Sequence, residues 1–418
     1  MRDAGSSGGG SAPWPPLFLA LAGLALLLAW CNVYLAAPAG VPTATDFVAF
    51  RAAGGLALRG EPALAYRLDD FIAAQRAVAE GDSVFGWYYP PTAFLALWPL
   101  GLLPYLPAFV LWNLSAALVF ALALRPWLHR PGAALLAFVL PAGAINLLIG
   151  QTGLFLAALL ALGLARLTTA PRLAGFAFGL MAIKPHLGLL LPLALAAGGH
   201  WRAFRAATVT VAATAALSLL VFGVEPWASF LDHVGDALLG GFGAGRLPLA
   251  EMTGIYPTLR TLGAPGGLAV PLAALWLAIA ASAVAVCWRL RSDAVAAAVL
   301  VAATLSATPY GSLYDMCLLT PVVLMVLSAP EPDGPGRFPR LVLVATALTP
   351  ALALPLTFKL GVPIAGFALV ALVLIGAVPS TRSFAAGWAA TWRAQQRQRA
   401  ARERSAIAAI EGCPTTGG

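Results

Sequence analysis

Long apolar runs rich in leucine and alanine, with none of the period-two alternation of a half-buried strand, recur along the chain from Leu17 to Val378. Such runs read as membrane-spanning helices, because a helix rises about 1.5 Å per residue and the hydrocarbon core is about 30 Å thick. The pattern predicts spans at Leu17–Ala37, Tyr105–Leu124, Gly132–Leu148, Thr152–Ala165, Ala206–Val224, Leu268–Leu290, Ala294–Thr308, Met316–Ala329, Leu341–Thr357 and Leu360–Val378. A further apolar stretch, Leu173–Ala197, is interrupted at its middle by Lys184, Pro185 and His186. Proline removes a helical hydrogen bond, so this stretch is expected as a broken hairpin with the lysine at a tip inside the membrane. The expectation is an all-α, polytopic transmembrane helical bundle.

Composition strengthens that picture. Of 418 residues, 60% are hydrophobic and 10% charged, where a soluble domain is about a quarter charged. An ordinary soluble enzyme is excluded, and backbone dissolved in lipid must be satisfied within helices or a closed barrel. The net charge of +8 carries a topology signal. With the leader inside, Arg125, Arg130, Arg166, Arg172, Arg202 and Arg205 and the arginine-rich tail all fall on the cytoplasmic side, where basic residues are retained. Both termini are then cytoplasmic, and two segments, about 38–104 and 225–265, lie outside. Residues 1–16 read as a disordered Gly/Ser/Pro-rich leader, 17–379 as the membrane domain, and 380–418 as a basic tail resting on anionic headgroups rather than on nucleic acid. The first apolar run lacks a basic n-region and is expected as a retained span. Cys31, Cys287, Cys317 and Cys413 are too scattered for a disulfide framework or a metal motif. No self-similar halves stand out, which counts against an inverted-repeat transporter.

Candidate chemistry concentrates in the first outer segment. Asp46 opens a stretch in which Phe47, Phe50 and Leu58 share one helical face, as in an amphipathic helix lying at the membrane surface. Arg51 projects to the same side, where a guanidinium can grip a lipid phosphate in bidentate fashion. Leu68, Phe71, Ile72, Gln75 and Val78 repeat at helical spacing and predict a second surface helix. Trp87, Tyr88, Tyr89, Pro90 and Pro91 suit the water–lipid boundary, and Thr92–Leu103 is too short to cross and reads as re-entrant. Asp46 is either an N-cap or a base that deprotonates a hydroxyl. Asp69 and Asp70 read as the start of the second helix, since adjacent carboxylates on a helix point about 100° apart. No D-x-D spacing occurs, so a metal-held nucleotide-sugar donor is disfavoured. Lys184 at membrane depth marks a functional site, against the alternative of a snorkelling cap. His186 has a structural or a functional reading. Asn146, Gly150 and Gln151 read as a tight turn or as part of the site. Tyr310, Tyr314 and Asp315 sit in the last sizeable polar break, Asp315 being a cap or a second acidic group.

Five stretches carry a family likeness: DFVAFRAAGGLALRG from Asp46, WYYPPTAFLALWPLGLLP from Trp87, INLLIGQTGLFLAALLALGLA from Ile145, LAGFAFGLMAIKPHLGLLLPLAL from Leu173 and TPYGSLYDMCLL from Thr308. In order and spacing the chain resembles glycosyltransferase family 87, a polytopic family of the GT-C fold. Phe50 and Arg51 depart from a frequent aromatic pair that includes tyrosine, and His186 stands where glutamine is common after Lys-Pro. The resemblance implies sugar transfer from a polyprenyl-phosphate donor on the extracytoplasmic face of a bacterial-type inner membrane, with Asp46 as base. Lys184, Arg51 and His186 are then candidates to bind the donor phosphate, and Tyr88, Tyr89, Asn146, Gln151, Tyr314 and Asp315 to line the substrate cleft. No metal and no cofactor is expected. The expected partners are membrane lipid, the polyprenyl-phosphate-linked sugar and a glycolipid or glycan acceptor. A transporter or flippase for a lipid-linked sugar is the alternative, and a non-catalytic subunit of an envelope-assembly complex a third reading.

Overall fold

A computed structural model describes residues 46–79, 85–128, 140–236, 248–290, 294–328 and 337–377. The expected leader, first span and basic tail lie outside the described residues, as does much of the expected 132–148 span. Among the described residues the chain is helical, and its β pairing is an isolated bridge between Met252 and Ser312. The all-α reading therefore holds.

The helices fall into two kinds. α4 (Tyr105–Leu124), α9 (Trp201–Phe222) and α12 (Gly266–Leu290) are long and apolar enough to cross a membrane. Few of their residues are buried, and Leu114, Val209, Leu220 and Leu275 are among those exposed, as expected of helices facing lipid tails. The second kind is short and enclosed. In α13 (Ala294–Ala307) every residue but the last is buried, and its 14 residues rise about 21 Å, less than the hydrocarbon thickness. With α5 (Pro141–Ile149), α6 (Gly153–Arg166), α14 (Leu319–Ser328) and α17 (Ile364–Ala377) it builds the main core.

Most of the expected spans are found as apolar helices, several of them short. Three helices among the described residues have the length and composition to cross, or up to four if one bent pair counts as a span. That pair is α15 (Arg337–Leu348) and α16 (Pro350–Leu360). The expected Leu341–Thr357 span is bent by 66° there, where Pro350 begins the second helix. The Leu173–Ala197 stretch is broken where expected. α7 (Pro171–Leu180) passes through a 3₁₀ turn to Lys184, whose φ of −133° and ψ of 75° lie outside the helical region, and a second 3₁₀ turn leads to α8 (Leu191–Ala197). α7 packs closely on α9 because Gly175 and Gly179 lie against the Ala203 and Ala207 carbonyls, with no room for a Cβ.

The first of the two segments expected outside differs from expectation in one helix. α1 (Phe47–Leu58) is not a surface helix. Ten of its twelve residues are buried, because the small residues Ala49, Ala52, Ala53, Gly54 and Ala57, spread around the helix, let other segments close on it from every side. Gly54 meets the Leu97 carbonyl and Gly101 at backbone distance, in the short broken piece Pro91–Leu102 that contains α3 (Phe94–Leu97). α2 (Leu68–Arg76) is amphipathic as expected: Phe71 and Gln75 are buried while Leu68, Asp69 and Asp70 are exposed in its first turn. Gln75 pins the following loop, donating to Phe85 O (2.8 Å) and accepting from its N–H (3.1 Å).

The two segments expected outside pack together. α10 (Glu225–Asp236) meets the first through Tyr66, whose ring lies 5.9 Å from Phe230 and 6.4 Å from His233, and through an exposed Arg67–Glu225 pair at 3.4 Å. The bridge at Met252 and a Thr253 N–H to Gly311 O bond of 2.8 Å tie the second segment, with α11 (Ile255–Thr261), to the break ahead of α14.

Candidate active site

Asp46 precedes α1 but does not cap it. Its φ of −49° and ψ of −25° are already helical, and its side chain makes no capping bond. The carboxylate instead accepts a short hydrogen bond from Gln151 Nε2. Gln151 is held from its other end, where Oε1 accepts from the Tyr89 hydroxyl (3.2 Å) and the Thr152 N–H (3.2 Å). An amide orientation is thus enforced in which the NH₂ must face Asp46.

Local sequence explains why Gln151 can reach. Gly150 ends α5 with a φ of 69°, a left-handed conformation that favours glycine. A Cβ there would strike Phe47 and Phe109. Trp112 Nε1 donates to its carbonyl at 2.9 Å. Asn146, 1% exposed, bridges the same turn, with its amide donating to Gln151 O (2.8 Å) and accepting from the Gly153 N–H (3.0 Å). In this turn Asn146 satisfies backbone groups while Gln151 turns its amide to Asp46.

Lys184 neither snorkels nor stands alone. It is 6% exposed, and its ammonium donates to Asp315 Oδ1 at 2.7 Å while lying 4.7 Å from the Tyr314 ring centroid and 5.9 Å from that of Tyr89. Cation–π attraction operates over such distances. Asp315 is fully buried. Its second oxygen accepts from the Ser312 N–H at 3.0 Å, closing a capping box on the 3₁₀ turn Leu313–Leu318. Asp315 is therefore both the cap and the second acidic group. Proline after Lys184 and the Ser-x-x-Asp box are the local devices that bring these two charges to one depth.

Asp46 lies within the field of this pair. Burial raises its carboxyl above the ordinary carboxylate range, the Gln151 hydrogen bond and the Lys184 charge oppose that rise, and Asp315 adds to it. Unlike Asp315, Asp46 is partly exposed. The result is a carboxylate that is accessible, oriented and biased toward taking up a proton.

Other expected residues are placed differently. Arg51 is turned to the loop after the short piece Pro91–Leu102, where its Nε donates to Leu103 O at 2.7 Å. His186 sits beside Tyr310, ring to ring at 6.4 Å. Tyr88 is 48% exposed and faces away from the Tyr89 network toward His233 and Tyr310. Glu251 has no counterpart among the sequence expectations. Its side chain is open by area, yet neighbouring protein crowds it, and this crowding, then the charge of Asp46, raises its carboxyl. It reaches the site through the Met252–Ser312 bridge, a pairing between residues 60 apart in sequence that has no local signature.

The comparison with known families decides the class. A model of glycosyltransferase family 87 matches residues 87–321, more than half of the chain. The chain belongs to glycosyltransferase family 87. The matched region contains Tyr89, Gln151, Lys184, Glu251, Tyr314 and Asp315, and Asp46 joins it physically through the Gln151 bond. No curated protein and no solved structure matches the chain. Family 87 membership makes the protein a membrane glycosyltransferase and sets aside the transporter and the non-catalytic subunit.

Proposed function

We propose that this family 87 glycosyltransferase moves a hexose or pentose, mannose-like in the first instance, from a polyprenyl-phosphate donor to a lipid or glycan acceptor. The reaction takes place at the extracytoplasmic face of the inner membrane and inverts the anomeric centre. Asp46 takes the proton of the acceptor hydroxyl, and that oxygen attacks the anomeric carbon on the face opposite the phosphate. The bond between that carbon and the phosphate oxygen breaks, its electron pair leaving with the polyprenyl phosphate. A lipid phosphate departs as a stable anion, so one base and a cationic field suffice. Lys184 supplies the field, held by Asp315 and stacked on Tyr314, while Gln151 and Tyr89 aim the base.

One observation carries the reading. A carboxylate at a helix start, where capping is the ordinary use, is turned into the interior, held by an oriented amide and set near a buried ammonium. The test is transfer by full-length protein from a panel of polyprenyl-phosphate sugars, read by mass spectrometry of the glycolipid products. Asp46→Asn is expected to insert normally and lose transfer with every donor that the wild type uses. Retained transfer overturns the assignment of the base. Topology is tested separately: a reporter fused after Asp82 is expected to read extracytoplasmic and one at Arg399 cytoplasmic.

A further inference from the structure

Four aromatic rings from four separate segments stand in a row beside this site. His186 follows the Lys184 break, Tyr310 lies in the break before Asp315, Tyr88 belongs to the first outer segment and His233 to α10. Successive ring centroids are 6.4, 6.4 and 5.3 Å apart, and the Tyr310 and Tyr88 planes are within 24° of parallel. The row runs one or two residues from the network at several points: Tyr88 adjoins Tyr89, and His186 is two positions from Lys184. Tyr88 leaves nearly half its surface open, with its ring folded over Gly86. His186 Nε2 is out of reach of solvent and has no hydrogen-bond partner in the protein, a costly state for a buried polar atom.

We propose that this row is the subsite for a sugar ring of the acceptor. The proposal rests on the reading that the acceptor hydroxyl reacts at Asp46. The ring faces offer flat apolar surface to the C–H face of a pyranose, and the phenol and imidazole edges offer hydrogen bonds to its hydroxyls. The row contains no lysine or arginine, so it does not suit a phosphate. Its polar edges do not suit an acyl chain, for which the exposed face of α4 is purely aliphatic by contrast.

The test is saturation-transfer NMR on full-length protein in lipid nanodiscs, with methyl α-glycosides of mannose, glucose and galactose as probes and n-butanol and inorganic phosphate as controls. At least one glycoside is expected to receive saturation at its ring C–H protons from wild-type and Asp46→Asn protein. That signal is expected to fall at least about fivefold in Tyr88→Ala and Tyr310→Ala and to persist in Tyr88→Phe. Tyr88→Ala, at a half-exposed position, carries the test if Tyr310→Ala does not fold. Saturation of no glycoside, saturation indifferent to Tyr88→Ala, or a Tyr88-dependent signal from butanol or phosphate in place of the glycosides overturns the proposal. Retained transfer by Asp46→Asn with the glycoside pattern intact would instead overturn the base and leave the subsite standing.

Discussion

Asp46 and Asp315 belong to one network and are built to opposite ends. Asp315 is wholly enclosed, with one oxygen on the Lys184 ammonium and the other on the Ser312 N–H. Asp46 is partly exposed and is held by a neutral amide. The first is a fixed charge that fixes another, and the second is free to change its protonation. Lys184→Met breaks the fixed side most severely, because it leaves Asp315 buried without a counter-charge. Removing one partner of a buried pair costs about 3–5 kcal/mol, so purified Lys184→Met is expected to unfold at markedly lower temperature than wild type. Replacing both partners, as Lys184→Met with Asp315→Leu, is expected to recover most of that stability without recovering transfer. A double variant as unstable as the single one would mean that the pair is not what holds this depth of the protein together.

Asp46→Asn tests the other side and should show the reverse profile. Its melting temperature is expected to stay at or slightly above wild type, since burial disfavours the charge that the substitution removes. Transfer is expected to fall more than about a hundredfold, the usual scale for losing a general base. A large loss of stability here would make Asp46 a structural residue like Asp315.

Much of this contrast was legible in the sequence, and its limits are physical. Lys184 declared itself by the cost of a charge in an apolar run, and Asp46 by standing at the head of a helical pattern. Neither signal could say that Asp315 would claim the lysine, because that pairing joins residues 131 positions apart. Arg51 shares an apparent face with Phe47, yet Leu103 O captures it. The run lengths could not tell long exposed helices from short enclosed ones, because lipid-facing and protein-facing helices can be equally apolar. Composition does not distinguish α13, enclosed on all sides, from α4, whose Leu106 is 67% exposed. The small residues Ala52, Ala53 and Gly54, spread around the helix, were the available sign that α1 would be covered on every side.

The pH dependence sharpens the comparison further, because only the free carboxylate should titrate with activity. With Asp46 raised by burial, the acid limb of kcat/KM is expected above the ordinary carboxylate range. Gln151→Leu removes a hydrogen bond that stabilises the charged form, so the limb should move to higher pH. Maximal transfer should fall about tenfold, the worth of one hydrogen bond to a charged group. An unshifted limb would mean that the titrating group is not Asp46.

Glu251 should give the smallest effect and the opposite sign. The charge of Asp46 raises the Glu251 carboxyl, and electrostatic coupling acts equally in both directions. A charged Glu251 therefore makes Asp46 harder to ionise, and Glu251→Gln relieves it. The acid limb should move to lower pH by a fraction of a unit, with the plateau rate little changed, because an exposed carboxylate is screened by solvent. Added salt should shrink the wild-type to Glu251→Gln difference while leaving the Gln151→Leu shift in place, since a hydrogen bond is not screened as a distant charge is. If Glu251→Gln instead abolishes transfer across the whole pH range, Glu251 rather than Asp46 faces the acceptor, and the roles of the two exposed carboxylates are exchanged.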